Sequence, residues 1–188
     1  MKEFKNYIDH FVNLQPTAWK SFSDLFSKKQ LAKGIYFSEA GRVEEKIGFL
    51  TDGVMRAFYR NANGTEFNKA FFEPCQFVGG YTSLINQETN FIHFQTLTNC
   101  TVWAADYNAI KNLFDLHPMI ERLARRVAET LFTHKDRREV ELVLMDAAQR
   151  YEIFKREHPG LENKIAQYHV ASYLGVTPTQ LSRIRSKK

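Results

Sequence analysis

The 188-residue sequence has few cysteines, few glycines and prolines, and no long apolar run. Cys75 and Cys100 have neither CxxC spacing nor a nearby histidine cluster, so we expect no disulfide framework and no metal site. No apolar stretch reaches the roughly 18 residues of a membrane span, and the first residues carry charge throughout, unlike a secretory leader. We therefore expect a cytoplasmic protein with reduced thiols.

Acidic residues are absent from the last part of the sequence. Residues 1–110 contain 11 basic and 11 acidic residues, and residues 111–163 contain 10 of each. Residues 164–188 contain five basic residues and no acid, so they hold the whole net charge of +5. A uniformly basic protein is excluded, and a basic C-terminal module that binds nucleic acid is indicated.

Residues 31–106 have the pattern of short strands. Two amphipathic helical segments precede them, and Gly34, Gly41, Gly53 and Gly64 then separate short apolar runs. The dipeptides ending at Gly53 and Gly64, Asp-Gly and Asn-Gly, favour tight hairpin turns. Seven or eight short strands at this spacing predict a small sandwich, barrel or jelly roll, and hence an α+β chain when the helices are included.

A helical period returns after residue 110, and His117-Pro118 interrupts it. From there, apolar and small residues recur three and four positions apart, which is the spacing of a two-helix interface. A second interpretation is that this stripe packs on strands of its own chain. The predicted dimer-interface residues are Ile120, Leu123, Val127, Thr130, Leu131 and His134. We expect the next helix to span Glu139–Glu157, with Val140, Val143 and Leu144 facing inward.

The segment Gln167–Ser186 has the pattern of a helix-turn-helix. Gly175 stands at the ninth position, where the chain turns sharply, and Ala171 at the fifth, where the helices approach closely. Apolar residues occupy the remaining core positions: Val170, Leu174, Val176, Leu181 and Ile184. Thr177 can cap the second helix, and Pro178 fits its first turn.

The rest of the second helix carries hydrogen-bond donors and positive charge, as a DNA-recognition helix does. Arginine suits bidentate contact with guanine, and the terminal lysines suit contact with phosphate. The predicted DNA-binding residues are Thr177, Thr179, Gln180, Ser182, Arg183, Arg185, Lys187 and Lys188. The alternative is an ordinary surface helical hairpin with a basic tail.

These features together resemble the Crp/Fnr family of bacterial transcription regulators over nearly the whole sequence. Two runs carry the resemblance, one from Leu31 through Ile47–Gly53 to Phe77-Val78-Gly79 and one from Ile165 to Arg185. The resemblance implies a cyclic-nucleotide-binding-like β-roll (a jelly roll) over residues 1–115, a dimerisation helix over 116–137 and a compact helix-turn-helix domain over 138–188. It also implies a homodimer that binds double-stranded DNA, senses a small-molecule effector and meets RNA polymerase.

Two departures from the family pattern concern the effector. Cyclic-AMP-binding members have a glutamate where this sequence has Gly80, and an arginine followed by serine or alanine where it has Asn90-Phe91. Without the arginine an anionic phosphate loses a charge-assisted hydrogen bond, so we do not expect cyclic AMP to bind in the usual way. Either the roll binds another ligand or it binds none. The candidate effector residues are Gly79, Gly80, Tyr81, Thr82, Ser83, Asn90 and Phe91.

Two other functions compete with DNA-binding regulation. The first is a small-molecule-binding roll whose C-terminal helices make only protein contacts. The second is a metal-dependent jelly-roll enzyme, which needs clustered histidine and carboxylate ligands. Because His93 is the only histidine between residues 31 and 106, we expect neither a metal site nor an enzyme.

Overall fold

The computed structural model describes residues 1–186. This part of the chain contains eight β-strands, and they all lie between residues 27 and 106. They are β1 (Ser27–Leu31), β2 (Tyr36–Ser38), β3 (Lys46–Asp52), β4 (Met55–Arg60), β5 (Glu66–Phe72), β6 (Gln76–Val78), β7 (His93–Thr96) and β8 (Cys100–Asp106). The number agrees with the seven or eight strands predicted, although β1 begins at Ser27, before the predicted start at residue 31.

Helices lie before, within and after the strands. The same residues contain α1 (Lys2–Phe11), α2 (Pro16–Ser23), α3 (Tyr81–Asn86), α4 (Tyr107–Lys111), α5 (Pro118–Leu144), α6 (Ala147–Glu157), α7 (Gln167–Leu174) and α8 (Pro178–Ser186). Within residues 1–186, no helix has both the length and the apolar character that a membrane crossing requires.

The strands form two four-stranded sheets, ordered β1-β8-β3-β6 and β2-β7-β4-β5. β8 pairs antiparallel with β1 on one side and β3 on the other, and β6 pairs antiparallel with β3. Both predicted turns are present, with positive φ at Gly53 and Gly64. A Cβ at Gly53 would stand 2.3 Å from the carbonyl oxygen of Asn99. This turn therefore requires glycine both for its positive φ and for the lack of space. The predicted jelly-roll architecture is therefore confirmed.

Aromatic side chains form the centre of the first hydrophobic core. Phe4 is fully buried, and its ring stacks on that of Phe49 with the centroids 4.3 Å apart. Phe22 and Phe26 pack around it, so α1 and α2 cover one face of the β3-containing sheet. Such aromatic packing contributes more to stability than apolar burial alone, so α1 and α2 are an integral part of this core.

The first half of α5 completes the same core. Ile120, Leu123 and Val127 are 1%, 3% and 9% exposed and pack in the cluster that contains Phe4. Intrachain packing already covers these three side chains, and their predicted place at a dimer interface stays a prediction. The second interpretation of this stripe, packing within its own chain, is the one observed here. Thr130 is half-buried, and its hydroxyl donates to the carbonyl oxygen of Arg126 at 3.0 Å.

The second half of α5 differs from the prediction in length and in the direction it faces. The helix continues to Leu144, and α6 begins at Ala147, so residues 139–144 do not belong to the following helix. Val140, Val143 and Leu144 are 45%, 80% and 76% exposed, and their predicted inward orientation is wrong. Leu131, Phe132 and Leu142 are exposed as well. Residues 131, 132, 142 and 143 fall within about 120° of helix circumference, so this half carries an apolar strip that the described residues leave exposed.

Contacts along the chain define two compact units. The first contains residues 1–57 and 71–130, and the second contains residues 58–70 and those from 131 onwards. The division lies within α5, which runs through the predicted domain boundary at residue 137 without a break. The second unit also includes the β4–β5 hairpin, which the sequence places in the roll.

Candidate nucleic-acid interface

The turn between α7 and α8 has the geometry of a helix C-terminus closed by glycine. Gly175 has φ +70°, which favours glycine because it lacks a Cβ. The amide of Gly175 donates to the carbonyl oxygen of Ser172 at 3.2 Å, and the amide of Val176 to that of Ala171 at 3.0 Å. These two bonds form the Schellman pattern, which ends α7 and redirects the chain within three residues.

The predicted core of the helix pair is present. Val170, Ala171, Leu174 and Leu181 are at most 1% exposed. Val176 and Ile184 are partly buried at its edge. Burying a leucine or valine side chain contributes about 1.5–3 kcal/mol to stability, so these residues are the chief stabilisers of the crossing between α7 and α8.

A reciprocal pair of hydrogen bonds starts α8. The amide of Gln180 donates to Oγ1 of Thr177 at 3.2 Å, and the amide of Thr177 donates to Oε1 of Gln180 at 2.8 Å. Pro178 follows as the first helical residue, where a missing N–H leaves no acceptor unpaired. Both side-chain oxygens thus form a capping box, a role that sequence reasoning gave only to Thr177. The role of Thr177 and Gln180 at DNA stays a prediction.

A polar row occupies the outer face of α8. Thr179, Ser182, Arg183 and Ser186 are all exposed. On a helix of about 3.6 residues per turn they fall within about 100° of circumference, on the side away from Leu181. A hydroxyl–guanidinium row of this kind can donate hydrogen bonds to base edges or phosphates.

Arg185 lies on another side of α8. Its guanidinium charge acts on the hydroxyl of Tyr151, which donates to the carboxylate of Glu162. Burial raises the pKa of Tyr151, the bond to Glu162 adds to the rise, and Arg185 opposes it. Arg185 is itself exposed, and its predicted role at DNA stays a prediction. Lys187 and Lys188 lie outside the described residues.

Two arginines that precede the helix pair hold its turn. The guanidinium of Arg138 stacks 3.9 Å above the ring of Tyr173, pairs with Glu141 at 2.8 Å and donates to the carbonyl oxygen of Tyr173. Arg150 donates to the carbonyl oxygen of Leu174 from Nε at 3.1 Å and from Nη2 at 2.9 Å. Cations stabilise a helix C-terminus, where carbonyl groups have no intrahelical partner. Burial raises the pKa of Tyr173, and the charge of Arg138 opposes that rise.

Sequence reasoning missed this role of the arginines. The alternation of Arg138 with acidic residues in the sequence favours a solvated face, although its side chain is only 17% exposed. A partial signal was present, since Glu141 stands three residues after Arg138, the spacing of an ion pair on one helix face.

Comparison with known proteins identifies the fold. No protein-family model matches the sequence, and no curated protein matches it. The match to the structure of CLP from Xanthomonas campestris, a c-di-GMP-responsive global regulator, covers 92% of this chain and 91% of the CLP chain, with 15% identity and a TM-score of 0.73. The match to FixK2 from Bradyrhizobium japonicum covers 86% of this chain and 83% of the FixK2 chain, with 15% identity and a TM-score of 0.75. A Crp/Fnr-family transcriptional regulator from Eubacterium rectale covers 97% and 87%, with 15% identity and a TM-score of 0.74.

The chain has the fold of the Crp/Fnr-type regulators. Its helix-turn-helix is α7 and α8, its long helix is α5, and its roll contains the eight strands. The resemblance stated from sequence is confirmed for the fold.

In this Crp/Fnr-type roll, the candidate effector residues fall into two groups. Ser83 and Asn90 are 2% and 4% exposed and hold the surrounding loops. Oγ of Ser83 accepts from the amide of Glu44 at 2.8 Å and donates to the carbonyl oxygen of Glu88 at 2.5 Å. The amide group of Asn90 bonds Oγ of Ser38 and both backbone groups of Ile92 at 2.9–3.1 Å.

The other candidate effector residues are less enclosed. Thr82 and Phe91 are exposed, and the ring of Tyr81 meets that of Tyr107 edge-on at 6.3 Å. A Cβ at Gly80 would stand 2.6 Å from Nδ2 of Asn90, so a glutamate at this position requires Asn90 to shift. The absence of a side chain at position 80 therefore leaves the space that the Asn90 side chain occupies. Effector binding by these residues stays a prediction.

Proposed function

We propose that the protein is a homodimeric, sequence-specific DNA-binding transcription regulator of the Crp/Fnr type. The outer face of α8 carries the proposal, because Thr179, Ser182, Arg183 and Ser186 form an exposed donor row on a capped helix with a buried core. Residues 164–188 contain no acid that would repel phosphate. The fold shared with CLP and FixK2 supports the same assignment.

In this proposal α8 enters the major groove. Arg183 reads guanine through its two parallel N–H donors, and the three hydroxyls bond bases or phosphates beside it. Lys187 and Lys188 add phosphate contacts, which contribute affinity without sequence preference. Arg185 acts indirectly by fixing α8 against Tyr151.

A second copy of the chain covers the apolar strip on α5 in this proposal. Leu131, Phe132, Leu142 and Val143 are 41%, 69%, 49% and 80% exposed and lie on one arc of α5, on either side of Lys135 and Glu139. Large apolar side chains exposed together in this way mark interaction sites. Two helices packed along their strips give a two-fold interface, and two recognition helices then meet successive turns of DNA. Of the residues predicted from sequence, Leu131 belongs to this strip, and Thr130 and His134 stay predictions at its edge.

The roll serves as the sensor in this proposal, and its effector differs from cyclic AMP in the usual pose. Position 80 offers no carboxylate, and position 90 offers an amide whose bonds are already made within the loop. The shared fold does not specify an effector, and a small molecule of another class remains the proposed ligand.

Selection of bound sequences from a random duplex pool tests the proposal. We expect a preferred, two-fold symmetric sequence that binds about 10³-fold or more tightly than a scrambled duplex at physiological salt. Weak binding that ignores sequence and disappears as salt is raised would contradict it. The competing function, a ligand-binding roll with protein-contacting helices, predicts that outcome and predicts intact cellular function in an Arg183→Ala variant.

A further inference from the structure

Two opposite charges occupy the middle of the apolar strip on α5. Lys135 and Glu139 are exposed, and on a helix of about 100° per residue they lie about 40° apart, at the centre of the arc that the strip covers. The apolar members of the strip flank this pair in the sequence: Leu131, Phe132, Leu142 and Val143. The strip therefore has an apolar part at each end and one lysine and one glutamate between them.

These two charges are not paired within their own chain. In residues 1–186, neither Lys135 nor Glu139 makes an ion pair, although their four-residue spacing brings them to the same helix face. Lysine before glutamate is the weaker order for such a pair on a helix. Arg138, on the same helix, instead pairs with Glu141 at 2.8 Å. Lys135 and Glu139 are thus available to the molecule that covers the strip.

A second lysine adds positive charge beside Lys135. Lys69 on β5 holds its Nζ 5.9 Å from the centre of the Tyr59 ring. Burial lowers the pKa of Lys69, and the charge of Lys135 lowers it further. Because a carboxylate placed nearby offsets the repulsion between two cations, this part of the strip favours a partner with an acidic residue at Lys135.

The strip itself has the pattern that its partner needs. A covering surface has to place a carboxylate at Lys135, a cation at Glu139 and apolar groups at both ends, because a charge that is buried unpaired is strongly destabilising. In residue number the strip is symmetric about position 137, with three equidistant pairs: Leu131 and Val143, Phe132 and Leu142, and Lys135 and Glu139. A surface that complements itself in this way fits a two-fold interface.

The charges match for either direction of the second helix. In an antiparallel pair, Lys135 lies directly opposite Glu139 of the second copy. In a parallel pair the two lie diagonally across the seam, about 6 Å apart along the axis, which is within the reach of a lysine side chain. Both arrangements form the contact twice, once from each copy.

We propose that Lys135 and Glu139 form two reciprocal ion pairs with a second copy of this chain and thereby select it as the partner. The pairs act as specificity residues, since a chain with another charge arrangement on its long helix leaves a charge unpaired at the interface. This inference rests on the proposed homodimer and adds which residues decide whether two chains pair.

Charge reversal, followed by sedimentation equilibrium of the full chain, tests the ion pairs. Lys135→Glu and Glu139→Lys should each raise the dimer dissociation constant by about 100-fold, because each places four like charges at the interface. An equimolar mixture of the two variants should dimerise about as tightly as the wild type, since every charge again meets its opposite. The double variant Lys135→Glu/Glu139→Lys should dimerise again for the same reason.

Matched controls come from an exposed ion pair of the same spacing on α2. Lys20 and Asp24 lie 2.6 Å apart, so Lys20→Glu and Asp24→Lys make the same changes of charge outside α5 and should keep the wild-type dissociation constant. Lys135→Gln and Glu139→Gln remove charge without reversing it and should each raise the constant by about tenfold. They serve as the test if a reversed variant fails to fold.

The outcomes separate the ion pairs from the interface itself. Single variants that keep the wild-type dissociation constant overturn the ion pairs and leave the proposed homodimer intact. Folded single variants that dissociate, but recover neither in the mixture nor in the double variant, also overturn the ion pairs. A wild type that stays monomeric at every concentration overturns both this inference and the proposed homodimer.

Discussion

Phe132 provides a direct test of the dimer interface on α5. Its side chain is 69% exposed in the single chain and lies within the apolar strip. Full burial of a phenylalanine contributes about 1.5–3 kcal/mol, so burying the exposed part contributes about 1–2 kcal/mol. A two-fold interface contains the residue twice, which gives about 2–4 kcal/mol for the dimer. Phe132→Ala should therefore raise the dimer dissociation constant by a factor of about 30 to 1000.

Sedimentation equilibrium over a range of protein concentrations measures this constant. Phe67→Ala is the matched control, because Phe67 is 50% exposed but lies on β5, outside α5. We expect the control to keep the wild-type dissociation constant. Equal dissociation constants for wild type and Phe132→Ala, or a larger effect from Phe67→Ala, would refute the assignment of the interface to this strip.

Three further predictions concern α8 and the cysteines. Arg183→Ala should weaken binding to the selected duplex by about 1–3 kcal/mol in an anisotropy titration, whereas Arg185→Ala should chiefly lower thermal stability. A larger loss of binding in Arg185→Ala than in Arg183→Ala would contradict the placement of the two side chains. Thr177→Ala should lower the free energy of unfolding by about 1 kcal/mol in a denaturant titration, and Thr177→Ser should restore it. An unchanged free energy of unfolding in Thr177→Ala would show that the capping box is unimportant. Cys100 is 3% exposed and burial raises the pKa of its thiol, so iodoacetamide should modify the half-buried Cys75 first, as mass spectrometry would show.

The helix-turn-helix could be predicted residue by residue because its constraints are local. The turn needs positive φ at Gly175, the second helix needs a cap at Thr177, and the core positions follow from helix periodicity. The direction of Arg185 could not be predicted, because a charged residue near a helix end has the same sequence pattern on either face. Its direction depends on Tyr151, which lies 34 residues earlier in the sequence.

The two faces of α5 could not be separated from the sequence. Ile120 and Val143 are both apolar and both recur with neighbours at helical spacing, yet one is buried at 1% exposure and the other is 80% exposed. Periodicity identifies an apolar face but does not say whether its own chain or a second copy covers it. The hydrogen bond from the amide of Asn68 to Oγ of Ser172 was missed for a related reason, since it spans 104 positions and follows no sequence period.

The central claim is that α8 reads DNA bases through Arg183. Methylation interference on the selected duplex tests it most directly, because a methyl group on guanine N7 blocks the arginine contact in the major groove. We predict that methylation of one guanine in each half-site prevents binding of the wild type and has no further effect on Arg183→Ala. Interference that is absent from the wild type, or unchanged in Arg183→Ala, would contradict the claim.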